Sequence, residues 1–436
     1  MILQILFVLT AIIVGARLGG VGLGVTGGVG LGVLTFVFGL RPTQPPIDVM
    51  LMIAAVISAA AAMQSAGGLS LMVKWAERLL RRHPHQITLL SPAVTYLFTF
   101  LAGTGHVAYS VLPVIAEVAT ETGIRPSRPL AIAVIASQQA ITASPISAAT
   151  VAMLSLFADF NISLWDIMAI TIPATLIGVA LGAILSLKYG KELVDDAEYQ
   201  RRLMSGELMN NQNSSVSVEN KKRALISILI FLFAMAVIVL LGSEESLRPV
   251  FKIESVDVRL DMSSLIEIVM LSAAAVIMLS CRLSGDKVAR SSVFSAGMQA
   301  VVAIFGIAWM GDTFIQGNLS QIKPAIEQIV TQLPWLFGVA LFVMSILLYS
   351  QAATVRAFMP LGIALGLNPM LLIALFPAVN GYFFIPNYPT LVAAINFDRT
   401  GTTRIGKYIL NHSFMMPGLV ATITAVSIGL LLITFY

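Results

Sequence analysis

Ile141-Thr142-Ala143-Ser144-Pro145-Ile146-Ser147-Ala148-Ala149 stands in the middle of an apolar run, 130–158, long enough to cross a lipid bilayer. A second such stretch, Tyr388-Pro389-Thr390-Leu391-Val392-Ala393, stands 244 residues later inside the run 370–396. Proline removes a backbone donor and disfavours helix at the residue before it. Each run therefore reads as a membrane helix broken partway across, with small polar residues gathered at the break. Non-helical backbone at that depth survives only where protein or a water-filled cavity satisfies it. Paired broken helices in corresponding positions of two halves point to a secondary transporter with its site where the breaks meet.

Outward from the breaks, full crossings are predicted at 2–16, 19–40, 47–64, 130–158, 165–187, 224–242, 264–280, 295–311, 370–396 and 408–435. Two stretches, 87–122 and 334–367, are too long for one crossing and are interrupted by Gly103-Thr104-Gly105-His106 and Tyr349-Ser350-Gln351-Ala352-Ala353-Thr354. Both read as re-entrant hairpins. The polar stretch 188–223 reads as a solvated linker with a short amphipathic helix within 192–208. It divides a first repeat, 1–187 with hairpin 87–122, from a second, 224–436 with hairpin 334–367. Pro113 and Pro360 lie 247 apart, and Pro126 and Pro369 lie 243 apart, close to the offset of the breaks. Five crossings per half would insert the halves upside down relative to each other. The predicted fold is an all-α polytopic membrane protein of two inverted repeats, with ten transmembrane helices, two re-entrant hairpins and two broken helices.

Composition supports a membrane protein. Of 436 residues 57% are hydrophobic and 11% charged, and the mean hydropathy is +0.90. Soluble domains carry roughly a quarter charged residues, so a soluble globular protein, a disordered chain and a nucleic-acid binder are excluded. The single cysteine, Cys281, leaves no disulfide framework and no multi-cysteine metal site. Met1-Ile2-Leu3-Gln4 has no basic region ahead of its apolar run and reads as a retained first helix. With the N-terminus outside, 20 of 26 basic residues fall inside, as the positive-inside rule requires. Both termini are then periplasmic and the linker cytoplasmic. The chain has no HExxH, GxSxG or Walker A lysine motif. Neither catalysis, a cofactor nor a bound metal is expected, and transport would draw on gradients or counter-substrate.

The half-helix after each break presents free N–H groups and a positive dipole end, which suits a carboxylate. Ser144, Pro145, Ser147 and Thr150 stand at the first break, and Asn387, Pro389 and Thr390 at the second. The hairpin tips add Thr104, His106, Ser350, Gln351 and Thr354. Two such clusters suit a ligand with two anionic ends. The competing reading is that Ser, Thr and Gly mediate close helix packing in lipid. Arg356, two residues past the second tip, is expected to meet an anion, either substrate or a carboxylate, unless it snorkels. Lys74–Arg82 reads as an interfacial cytoplasmic helix in which Glu77 and Arg81 pair at i,i+4. Glu117 and Glu121 are expected to pair with Arg125, or with Arg81 and Arg82.

Several of these stretches resemble the anaerobic C4-dicarboxylate transporter (Dcu) family. They are Gly103-Thr104-Gly105-His106, Leu112–Ala119, Ile141–Ala149, Leu347–Thr354, Tyr388–Ala394 and Gly401–Lys407. The likeness runs from Gly15 to Phe414 and is nearest to the DcuA type in Tyr349–Thr354. It implies exchange of fumarate, malate or aspartate for succinate across the bacterial inner membrane during anaerobic growth. It also implies the elevator-like inverted-repeat fold of the wider ion-transporter superfamily, often as a homodimer, and importance for Glu77, Arg81 and Arg125. Glu77 and Arg81 would belong to a cytoplasmic gate or a scaffold contact, and Arg125 would assist substrate on its way in. A C4-dicarboxylate antiporter in the lipid bilayer is the leading expectation. Its rivals are a sodium- or proton-coupled organic-anion symporter and a membrane co-sensor partnered with a sensor kinase.

Overall fold

A computed structural model describes the chain apart from residues 19–20, 158–159, 161, 206, 208–219, 254–255, 349, 387, 408–409 and 436. Also outside the description are the side chains of 2, 16–17, 23, 48–49, 106, 243, 245, 253, 256, 296, 300, 319, 322–332 and 347. The chain is mostly helical, and among the described residues six helices are long and apolar enough to cross a membrane. A seventh is added if the bent pair over 50–82 is one span, and four shorter apolar helices accompany them.

In the first half, α1 (Ile2–Leu18) packs on α2 (Gly22–Gly32), and α3 (Ile47–Ser65) turns by 66° into α4 (Gly68–Arg82). Gly67 makes that turn at φ +88°, a conformation side-chain-bearing residues resist. α5 (Ile87–Ala102) stops at Gly103, also left-handed at φ +68°. A 3₁₀ turn over Gly105–Ser110 leads into α6 (Leu112–Glu121). α7 (Ser127–Ala143) and α8 (Ala148–Leu156) are separated at the Ser144-Pro145 motif, where Ser144 and Ser147 are extended. α9 (Leu164–Ser186) begins with a reciprocal capping box of Ser163 and Asp166.

The linker contains a 3₁₀ turn, Leu193–Asp195, and α10 (Ala197–Met204), capped by Asp196. The second half follows with α11 (Lys221–Ser243), β1 (Val250–Ile253), β2 (Val256–Arg259), α12 (Met262–Cys281), α13 (Gly285–Ala289) and α14 (Ser292–Gln332). After these come α15 (Leu336–Leu348), α16 (Gln351–Ala364), α17 (Pro369–Leu375), a 3₁₀ segment over Phe376–Phe383, α18 (Pro389–Phe397) and α19 (Met415–Leu432).

Three features differ from the reading of the sequence. The all-α expectation is corrected by the antiparallel pair β1–β2, whose alternating β-branched residues put Lys252 opposite Asp257. α14 runs for 41 residues, well past the predicted end of its span at 311. Hydropathy reports lipid contact, and a helix can continue through Asp312 and Asn318 once they are covered by protein. The first arm of the second broken crossing is not one α-helix, because Pro377 lacks a donor and Asn380 departs from helical geometry at φ −96°, ψ 23°.

The helices pack in two groups. One joins α1–α4 with α11, α12 and α14; the other joins α5, α7 and α9 with α17, α18 and α19. Close backbone approach ties the first group together: a Cβ on Gly306 of α14 would fall 1.7 Å from the Gly24 carbonyl of α2. α16 packs on α14 of the first group and on α17 of the second, as well as on α8, so the second hairpin touches both groups. Within 127–156, 94% of the 18-residue apolar window is buried inside the protein. Polar side chains on α7 therefore face protein, where each needs a partner.

Candidate functional site

At the first break the hydroxyls are turned inward. Ser144 donates to the Phe100 carbonyl at 2.7 Å, and Ser147 donates to the Ile141 carbonyl at 2.6 Å while capping the Thr150 N–H. Thr150 also reaches the Ile141 carbonyl. Pro145 is buried beside them. These contacts satisfy backbone groups freed by the break, the packing role that competes with ligand binding. At the second hairpin's tip Ser350 caps the Ala353 N–H, and Thr354 donates to the Ser350 carbonyl at 2.8 Å. Thr104 lines an apolar cleft of about 80 Å³ between the first tip, the first break, α3 and α14. Asn387 and the His106 side chain lie outside the described residues.

Gln351 opens α16 and is 5% exposed. Its Nε2 donates to the Gln138 backbone carbonyl on α7 at 2.8 Å and to Asn380 Oδ1. Asn380 in turn donates to Gln139 Oε1 and to the Pro377 carbonyl, both at 3.1 Å. Gln139 donates to Thr422 of α19 at 2.9 Å. A chain of carboxamides thus crosses repeatedly between the two halves of the sequence. Beside it the Tyr382 hydroxyl approaches Gln351 without a well-formed hydrogen bond, and the Tyr382 ring lies 4.3 Å from that of Tyr388, centroid to centroid. Gln138 is 2% exposed, yet neither atom of its carboxamide has a partner. Thr390, 3% exposed at the head of α18, carries a partnerless hydroxyl, whereas neighbouring Pro389 is exposed. A buried polar group left without a hydrogen bond costs about 1–3 kcal/mol, so the Gln138 carboxamide on α7 and the Thr390 hydroxyl at the second break each call for a partner.

Reading by motif missed Gln138, Gln139, Asn380 and Tyr382. Gln138-Gln139 lies mid-run in α7, where hydropathy alone would have flagged two adjacent amides in a membrane helix.

The charged residues sit elsewhere. Arg356 acts electrostatically on Asp312 of α14, the carboxylate that motif reading missed. Arg81 on α4 binds three carboxylates, Glu77 at 3.1 Å, Glu117 at 3.1 Å and Glu121 at 2.9 Å, tying α4 to the outgoing arm α6. Arg125 is buried and reaches the linker, pairing with Asp196 at 2.9 Å and bonding Ser127 Oγ and the Lys191 carbonyl. Arg128 holds the Tyr189 and Gly190 carbonyls and Glu192, whose carboxyl it pushes below the usual range by hydrogen bond and charge. Asp398, 2% exposed, accepts from Thr400, Thr402 and the Thr403 N–H and folds the turn after α18 on itself. Among the described residues no three His, Cys, Asp or Glu side chains converge as a metal site.

Comparison with known proteins covers the whole chain. Residues 1–436 match the family described as anaerobic C4-dicarboxylate membrane transporters. The C4-dicarboxylate transporter DcuA of Escherichia coli K12 is 42% identical, with 100% of this chain and 99% of that protein aligned. DcuA of Wolinella succinogenes is 44% identical over 98% of each. The anaerobic transporter DcuB of Escherichia coli O6:H1 is 38% identical over 100% of this chain and 98% of its own length. Among solved structures, the Alcanivorax borkumensis YdaH transporter shares the fold at TM-score 0.58 and 16% identity, over 93% of this chain and 88% of its own. Neisseria gonorrhoeae MtrF does so at 0.52 and 13%, over 92% and 84%. The chain belongs to the anaerobic C4-dicarboxylate membrane transporter family.

Proposed function

We propose that the protein carries C4-dicarboxylates across a bacterial inner membrane by exchange, binding them at the junction of Gln138, Gln351, Tyr382 and Thr390, with Asn380 behind Gln351. The observation that carries this reading is the buried carboxamide of Gln138, partnerless beside a hydrogen-bond chain drawn from both halves. Whole-length identity to transporters named for these substrates supplies the substrate class. In this reading the halves 1–187 and 224–436 are inverted repeats, the linker is cytoplasmic and both termini are periplasmic. The group holding α5, α7, α9, α18 and α19 moves against the group holding α3, α11, α12 and α14, carrying the site by alternating access. An apolar cleft lies between α3, α14, the first tip and the first break. Homodimerisation is part of the same proposal. Fumarate or malate exchanged for succinate is a dianion for a dianion and moves no net charge, so that exchange requires neither nucleotide nor ion coupling.

Labelled fumarate uptake into proteoliposomes, sodium-free and with the membrane potential clamped, tests the reading. Strong stimulation by internal succinate is expected. Uptake into empty vesicles that requires a sodium or proton gradient would replace exchange with symport.

A further inference from the structure

The orientation of each carboxamide in the chain is fixed by a backbone carbonyl, which can only accept. The Gln351 atom facing the Gln138 carbonyl must be its nitrogen, and the Asn380 atom facing the Pro377 carbonyl must be its nitrogen as well. Asn380 then turns its oxygen toward Gln351, so both protons of Gln351 Nε2 are engaged. What remains of the Gln351 carboxamide is Oε1, an acceptor. An acceptor does not hold a carboxylate; it holds a group that brings a proton. Gln138 carries one free donor and one free acceptor, buried and partnerless. Among the described residues no lysine or arginine is bonded to this chain.

We infer that Gln351 is a specificity-determining residue that reads a hydrogen-bond donor at C2 of the dicarboxylate, an ammonium or a hydroxyl, and that Asn380 is the positioning residue that keeps its oxygen outward. The inference rests on the proposed binding site. Substrates with a C2 donor, aspartate and malate, gain the contact, whereas fumarate and succinate have nothing to offer it. Asn380 does not touch substrate. It acts by occupying the second proton of Gln351, without which the carboxamide could rotate and present nitrogen.

The test is uptake of labelled aspartate, malate, fumarate and succinate into succinate-loaded proteoliposomes, comparing wild type with Gln351→Met, Asn380→Asp and Asn380→Leu. Gln351→Met keeps the length of the side chain without its hydrogen bonds. It is expected to raise KM for aspartate and malate about tenfold or more, the loss of a bond to a charged or polar ligand group. Fumarate and succinate, bound at the same site without that contact, should lose less, so that the ratio of aspartate KM to fumarate KM rises about threefold or more. Asn380→Asp still accepts from Gln351 and should keep the preference for C2 donors; Asn380→Leu frees the second proton and should lose it. Monodispersity in detergent controls for folding, and the aspartate-to-fumarate KM ratio, measured in the same vesicles, separates lost specificity from a general loss of transport. Equal losses for all four substrates in Gln351→Met, or unchanged aspartate KM, would overturn the assignment while leaving the transport reading standing. Wild-type vesicles that exchange no dicarboxylate would overturn both.

Discussion

Asp196 in the linker lies 2.9 Å from Arg125 in the first half, their side chains 3% and 10% exposed. The same carboxylate caps α10 and reaches Arg404, from the second half, at 3.4 Å. Arg202 of α10 meanwhile donates to the Arg399 carbonyl at 2.9 Å. The linker is therefore a strap across the ends of α7 and α18. Removing one partner of a buried pair costs up to about 3–5 kcal/mol, here reduced because Arg125 keeps Ser127 and the Lys191 carbonyl. Asp196→Ala should lower the unfolding midpoint markedly, and Asp196→Asn, which retains the cap, by less. Thermal unfolding of the detergent-solubilised protein reads both; equal, negligible shifts would refute the strap.

Gln138 gives the opposite pattern from a structural residue. Its carboxamide bonds nothing, so Gln138→Leu strands no partner and should leave stability unchanged or raise it by about 1 kcal/mol. Exchange should fall about tenfold or more if the group meets substrate. A variant that is less stable yet fully active would show the amide to be a packing element.

Arg81 sits among three carboxylates, with its side chain 37% exposed. Exposed pairs contribute only about 0–1 kcal/mol each, and lysine cannot reproduce the forked geometry. Arg81→Lys should therefore unfold within a few degrees of wild type while exchange drops sharply, because α4 belongs to the first group and α6 packs on α7 and α18 of the proposed moving one. Initial uptake rates measured alongside unfolding separate the two effects.

Glu198 is held down to about 2 by hydrogen bonds from Arg201 and Arg202, and Glu192 is lowered by Arg128. A depressed carboxyl keeps its ion pair above its free value and loses it only as pH falls through the folded one. The strap should accordingly resist protease equally from about pH 7.5 to about pH 5 and loosen only toward the folded value of Glu198. Cleavage within the linker that accelerates already near pH 5 would contradict this.

Gly103 closes α5 at φ +68°, and a Cβ there would stand 2.9 Å from the Ile146 carbonyl of the first break. Left-handed backbone costs a side-chain-bearing residue roughly 1–2 kcal/mol. Gly103→Ala should cost at least that in stability and separate tip from break, with uptake falling in step. Unchanged stability would show the tip free to give way.

The sequence by itself determined that the chain is mostly helical and where two of its helices break. Pro145 and Pro389 disfavour helix at the residue before them, Gly103 ends a helix, and the apolar runs need lipid or protein around them; these are local effects, legible along the chain. It determined the family too, through stretches such as Ile141–Ala149 and Gly401–Lys407. The tertiary structure decided which polar groups are spent and which are free. Ser144 and Ser147 look as available in sequence as Gln138 does not, yet the hydroxyls are consumed by the carbonyls of Phe100 and Ile141 while the carboxamide is left over. Hydrogen bonding is settled pairwise in space, between α7, α16 and the segment around Asn380, which lie more than two hundred residues apart in sequence or on either side of a break. Arg125 shows the same limit, since only the fold brings Asp196 of the linker to it.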